Sequence, residues 1–233
     1  MEQNLELKEF KLLPIFSGLF VSTLILSTIT SSKLFTIGFI TLPGGVIIFP
    51  LAFIFNDILT EVYGYARCRK VVWTGLASYV LLAFTLLIVE VLPPASFWPN
   101  QEAFAAVLGF VPRIALAGIL AYFLGEISNS IVLSKMKYWE KGQRGLKQGW
   151  RFLMSTVVGE GVDSIVFMTI AFAGTIPSAD LLKTILTLYI VKVIYEFIAI
   201  PISTRFANYV KKVEGVDKID YPDRTNYNPF STS

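Results

Sequence analysis

The sequence predicts an all-α integral membrane protein with six transmembrane helices, and three observations carry that reading. Of 233 residues, 54% are hydrophobic and 16% charged, and the mean hydropathy is +0.63. That is too much apolar surface for one soluble core and enough for several spans of about 20 residues each. The basic residues alternate in density along the chain. The N-terminus, the second and fourth connections and the tail hold 16 of the 20 lysines and arginines, whereas the first, third and fifth connections hold 3 and Lys192 lies inside a span. Basic loops mark the cytoplasmic side, which places both termini there and makes the number of spans even. Histidine is absent and Cys68 is the only cysteine, which removes disulfides, thiolate or imidazole metal sites and a histidine switch. No metal or cofactor is expected, and the net charge of +3 is a matter of loop placement that implies no nucleic-acid partner.

Residues 1–11 read as a mixed-charge cytoplasmic lead without the features of a signal peptide. The transmembrane domain covers 12–204 and a polar, partly ordered cytoplasmic tail covers 205–233. The first span runs over 12–32, with Pro14 in its first turn and the hydroxyl-rich STITSS at its end, where side chains can bond to backbone within the helix. Residues 34–49 are β-branched and aromatic on either side of Pro43-Gly44-Gly45, which is hairpin chemistry, so an interrupted segment is expected before a helix that starts near Pro50. The alternative is one helix over 44–63 kinked at Pro50. Irregular backbone at that depth has to be buried in protein or line a cavity. After a basic turn at Arg67, Arg69 and Lys70, a third span reaches 92, and 95–112 reads as an aromatic surface loop or helix. The fourth span covers 113–133, the fifth 152–173 and the sixth 181–204, with a kink from Pro201 near the end. Gly145 and Gly149 have GxxxG spacing but fall in the polar fourth connection, where the spacing carries no helix-packing meaning.

The acids inside the spans are the candidate functional residues, because charge is costly in lipid. Asp57 and Glu61 are i and i+4 on one helix face, with Asn56 and Thr60 beside them. GEISNS at 125–130 and GEGVDS at 159–164 share the pattern G-E-x-x-[ND]-S, which aligns Glu126 with Asn129 and Glu160 with Asp163 on single faces of consecutive spans. Lys192 and Glu196 form a further i, i+4 pair. SSKLF at 31–35 and LSKMK at 133–137 hint that spans 1–3 and 4–6 are inverted repeats, an arrangement that puts sites at mid-membrane. Each acid also has a structural reading. Lys192 can neutralise Glu196 or an acid on another helix, and Asp57 and Glu61 can latch onto Arg67, Arg69 and Lys70.

Four segments in order resemble the queuosine precursor transporter family, of the vitamin uptake transporter type: FPLAFIFNDILTEVYG with the basic residues and VVW that follow, GEISNSIVLSKMK, GEGVDS with KVIYEFIAIPI, and the tail DRTNYNPF. The resemblance implies a cell inner membrane importer of 7-deazaguanine bases, such as 7-cyano- or 7-aminomethyl-7-deazaguanine or queuine, for modification of the transfer RNA wobble position. Such a base keeps guanine's N1–H and 2-amino donors, which one carboxylate accepts together. On that footing Asn56, Asp57, Glu61, Glu126, Asn129, Glu160, Asp163, Lys192 and Glu196 are the candidate substrate-binding residues. Asn56 or Asn129 would serve the carbonyl oxygen, and Tyr63, Tyr189 or Tyr195 would stack on the ring.

The expected partners are the lipid bilayer, a purine-like small molecule and a second copy in a homodimer. Nothing matches GxxxxGK[ST], so the chain holds no nucleotide-binding engine. A substrate-binding subunit served by a separate ATPase is the alternative, although such subunits offer an alanine-rich first helix and this first span has no alanine. An enzyme is not expected. The aspartates at 57 and 163 lack a GxGD context, and serine chemistry lacks its histidine base.

Overall fold

The computed structural model describes residues 10–31, 33–37, 40–108, 111–174 and 177–231. They form seven α-helices, one short hairpin and a 3₁₀ turn: α1 (Leu13–Thr30), β1 (Leu34–Ile37), β2 (Ile40–Pro43), the 3₁₀ turn (Gly44–Ile47), α2 (Pro50–Tyr63), α3 (Tyr65–Val91), α4 (Gln101–Leu108), α5 (Val111–Trp139), α6 (Leu146–Phe172) and α7 (Ser178–Glu214). Among the described residues, five helices are long and apolar enough to cross a bilayer: α1, α3, α6, α7 and, within α5, Leu116–Trp139. The spans run past the expected limits wherever lysine or arginine stems extend a helix beyond its apolar part. KMKYW continues α5, α6 begins at Leu146, and α7 passes Pro201 without ending.

The interruption before Pro50 is present, with a different internal design. The hairpin closes within LFTIGFIT, pairing Leu34 with Pro43 and Ile37 with Ile40 in antiparallel register. Pro43-Gly44-Gly45 therefore ends a strand and opens the 3₁₀ turn, and VIIF is not a strand. Ser27 of α1 anchors the turn by donating to the Gly45 carbonyl at 3.2 Å. A side chain on Gly45 would overlap Ser31 and the Ser27 backbone. Elsewhere in α1, Ser17, Thr23, Thr28 and Thr30 bond back to carbonyls one turn earlier.

Pro50 stands in the first turn of α2, where its missing N–H costs nothing. At 14 residues α2 is about 21 Å long, short of a full crossing by itself. It is buried on every side from Asn56 to Tyr63 and touches α1, α3, α5, α6 and α7, which makes it the central strut of the bundle. Its C-terminal end returns to the level at which α1 begins and α7 ends. Glu214 of α7 accepts from Tyr63 Oη at 3.1 Å and from the Leu12 backbone N–H at 2.5 Å. The cluster rich in lysine and arginine that gathers there is called the basic end below.

Gly64, at φ +83°, lets the chain turn straight from α2 into α3, so Arg67, Arg69 and Lys70 lie within α3 and form no separate turn. The tail corrects a second expectation. It packs along the basic end, with Lys218 N–H on the Val62 carbonyl, Arg69 donating to the carbonyls of Asn226 and Asn228, and Trp73 donating to that of Pro229. Asp220 Oδ2 accepts from the Tyr65 N–H at 2.8 Å and from Ser134 Oγ at 2.7 Å. Gly64 brings no capping side chain to α3, and a carboxylate from the tail supplies one. Asp220→Ala should cost about 1–3 kcal/mol by orphaning the Tyr65 N–H, while Ser134 Oγ keeps Tyr227 Oη at 2.9 Å, and should expose the tail to protease. A melting temperature and digestion rate equal to wild type would contradict this.

Candidate functional site

The two G-E-x-x-[ND]-S segments meet where α5 crosses α6 in antiparallel fashion. A Cβ on Gly125 would sit 2.9 Å from Asp163 Cβ, and one on Gly159 would sit 2.8 Å from Asn129 Cβ. Each glycine thus receives the polar residue four positions along from the other glycine. The exchange is reciprocal, and it brings Glu126, Asn129, Glu160 and Asp163 to one crossing.

α2 is tied to this crossing by its asparagine and aspartate. Asp57 Oδ1 accepts from Asn129 Nδ2 at 2.7 Å and from Ser155 Oγ at 3.3 Å, and Asn56 Nδ2 donates to the Glu126 carbonyl at 3.3 Å. Asn56 Oδ1 takes the Ser130 hydroxyl and the Cys68 thiol. Each asparagine therefore spends one of its two Nδ2 donors on a neighbouring helix.

Lys192 reaches across from α7 to α6. Its Nζ lies 2.7 Å from Glu160 Oε2 and 2.7 Å from Asp163 Oδ2, and it sits 4.2 Å from the centre of the Phe49 ring. Of the two pairings open to it, Lys192 takes the acids of another helix and leaves Glu196 aside. Glu126 and Glu196 are buried, and among the described residues neither carboxylate has a hydrogen-bond partner. The whole layer of Asp57, Glu126, Glu160, Asp163, Lys192 and Glu196 is sealed from solvent, the most open of them being Asp163 at 6%. Phe49 is the aromatic face beside it. Tyr63 is engaged at the basic end, Tyr189 donates to the Val157 carbonyl at 3.2 Å, and Tyr195 is exposed on the outer face. The sequence signal for Phe49 was available, since it directly precedes Pro50 in the polar-faced segment.

Glu61, one turn beyond Asp57, belongs to a separate cluster at the basic end. Arg151 grips it with both edges, Nε to Oε2 at 2.8 Å and Nη2 to Oε1 at 2.5 Å, and Lys211 Nζ meets Oε1 at 2.5 Å. Lys137 donates to the Glu61 carbonyl and to Asp217 at 2.6 Å. Glu140 closes the other side of Arg151 at 3.0 Å. The expected latch onto Arg67, Arg69 and Lys70 is not what forms. Arg67 donates to the Tyr63 carbonyl and Arg69 to the tail, and the cations at Glu61 come from α5, α6 and α7. Burial alone would raise the pKa of Asp217, but the hydrogen bond and charge of Lys137 together with the charge of Lys211 outweigh it and hold the pKa below its usual value. Its contribution to stability is thus full above the ordinary carboxylate range and is lost as pH falls through the lowered folded-state value.

Five apolar helices among the described residues, packed around a buried, charged layer, define a multi-pass membrane protein. The chain belongs to the family described as "Putative vitamin uptake transporter", which it matches over residues 43–206. It is 30% identical over 159 residues to a protein of Bacillus subtilis (strain 168) named "Probable queuosine precursor transporter", covering 67% of this chain and 68% of that one. It is 27% identical over 129 residues to a protein of the same name from Haemophilus influenzae, covering 55% and 51% of the two chains. The "Queuosine precursor transporter" of Escherichia coli (strain K12) is 27% identical over 129 residues, covering 55% and 54%. The chain therefore spans about half the length of the last two. No solved structure matches.

Proposed function

We propose that this protein imports queuosine precursors, 7-deazaguanine bases such as 7-cyano- or 7-aminomethyl-7-deazaguanine or queuine, across the cell membrane. The observation that carries the reading is the buried crossing of Glu126, Asn129, Glu160 and Asp163, taken with the names of the relatives. Carboxylates at that point suit the adjacent N1–H and 2-amino donors that distinguish a guanine edge. In this reading the base enters between α5, α6 and α7, Glu160 and Asp163 take its donors in place of Lys192, and Phe49 offers the ring a face. Asp57 and Asn129 hold α2 against the crossing. Glu61 closes the basic end and does not touch the substrate.

The hairpin, the 3₁₀ turn and α2 together make a sixth crossing, and the basic end with both termini faces the cytoplasm, as the distribution of lysine and arginine favours.

The test is uptake of labelled 7-cyano-7-deazaguanine into proteoliposomes holding the purified chain. Guanine-edged competitors should suppress it and adenine should not. Equal suppression by adenine would remove the carboxylate reading.

A further inference from the structure

Glu126 is the acid of the crossing to which the proposed recognition gives no partner. It is 0% exposed, and among the described residues neither of its carboxylate oxygens accepts a hydrogen bond. It nevertheless faces the site. Asp57 reaches it electrostatically from α2, Cys68 from α3, Glu160 and Asp163 from α6 and Lys192 from α7, and Tyr122 stands one turn away on α5 itself. Lys192 is the one cation among them.

The charges of the loaded layer decide what is missing. Its five carboxylates, Asp57, Glu126, Glu160, Asp163 and Glu196, have Lys192 as their single ammonium among the described residues. A base that takes Glu160 and Asp163 has to move that ammonium off both. Glu196 stands at i+4 on the same helix, within reach of a lysine stem, and among the described residues its oxygens have no hydrogen-bond partner. It receives the displaced lysine as its own proton leaves to water. Asp57 keeps Asn129 and Ser155, and Glu160 and Asp163 have the donors of the base. Of the five, Glu126 is then left with neither donor nor cation. Its ionised form is costly there, so beside an uncharged base it keeps its proton. A ligand that carries its own ammonium removes that constraint.

We infer that the site selects 7-deazaguanines whose 7-substituent bears an ammonium, as in 7-aminomethyl-7-deazaguanine and queuine, over the uncharged 7-cyano base, and that Glu126 receives the ammonium. This rests on the reading above, in which the guanine edge lies at Glu160 and Asp163. The ammonium enters as the Glu126 proton leaves to water, so this exchange adds no net charge to the layer, and a charge-assisted pair forms where a neutral acid stood. Edge and substituent are thus read by acids of different helices, the edge by α6 and the substituent by α5.

The experiment measures dissociation constants on the purified full chain for 7-aminomethyl-7-deazaguanine, its uncharged isostere 7-ethyl-7-deazaguanine and the 7-cyano base. Wild type should bind the aminomethyl base about 10- to 100-fold more tightly than the ethyl base, the range for a hydrogen bond to a charged group. Glu126→Gln should abolish that preference, whereas Glu160→Gln should weaken both bases and keep it. Calorimetry in buffers of different ionisation enthalpy should show about one more proton released with the aminomethyl base than with the ethyl base, a wild-type measurement that serves if Glu126→Gln fails to fold. Equal affinity of wild type for the three bases would overturn the selection and leave the substrate reading intact. A preference retained in Glu126→Gln, or equal proton release with the two bases, would overturn the role of Glu126. Binding of none of the three would overturn the substrate reading and the inference together.

Discussion

Glu61→Gln should destabilise the detergent-solubilised protein by about 3–5 kcal/mol, the range for removing one member of a buried ion pair. The reason is the asymmetry of the cluster. Glu61 receives Arg151, Lys211 and the Lys137 amine, and with its charge gone those cations keep, among the described residues, Glu140 and the partly exposed Asp217. Arg151→Met in the same protein removes the worst of the excess charge and should recover part of the loss, so the two substitutions together should cost less than their sum. Thermal unfolding followed by tryptophan fluorescence on the four proteins would decide it. A single Glu61→Gln protein that melts with wild type, or strict additivity in the double variant, would show that the cluster contributes little.

Glu160→Gln should lower substrate binding by about 10- to 100-fold, the equivalent of a charge-assisted hydrogen bond worth roughly 1.5–3 kcal/mol. A carboxylate accepts both donors of a guanine edge, whereas an amide offers one acceptor and one mismatched donor. The structure makes this substitution informative, because Lys192 keeps Asp163 at 2.7 Å when Glu160 loses its charge. Stability should therefore change little. Affinity by equilibrium binding and melting temperature would be measured on the same purified variant. Unchanged affinity with a lowered melting temperature would assign Glu160 to balancing Lys192 and take it out of the site.

The elements that could be read in advance are those whose cause is local. A proline after a β-branched run marks the start of α2, and the repeated G-E-x-x-[ND]-S spacing places four polar residues on two facing stripes. What could not be read is the choice of partner across the bundle. Lys192 had Glu196 at i+4 and two acids on α6 within reach, and nothing in spacing says that the inter-helix pair wins. Arg151 and Lys211 looked like loop and tail cations because helix ends were drawn where hydropathy falls. Their long stems let charged heads turn inward to Glu61 at the end of a helix whose body is apolar. The docked tail escaped for a related reason. Its polar sequence lacks a hydrophobic stripe, and it binds through carbonyls and Asp220, which composition cannot distinguish from a solvated end.

The packing of Gly149 against Ile200, 2.9 Å from where a Cβ would stand, gives α7 a fulcrum. It also corrects the placement of Gly149 in a loop, since the residue lies in the first turn of α6. Along the helix axis, Glu196 stands about 6 Å to one side of Ile200 and Lys211 about 16 Å to the other. Any rocking of α7 about that contact is thus magnified roughly threefold at the basic end. A lateral shift of about 1 Å at Glu196 would carry Lys211 about 3 Å, enough to part its 2.5 Å contact with Glu61. The long arm of the lever ends on the lock, and the short arm ends on the acid.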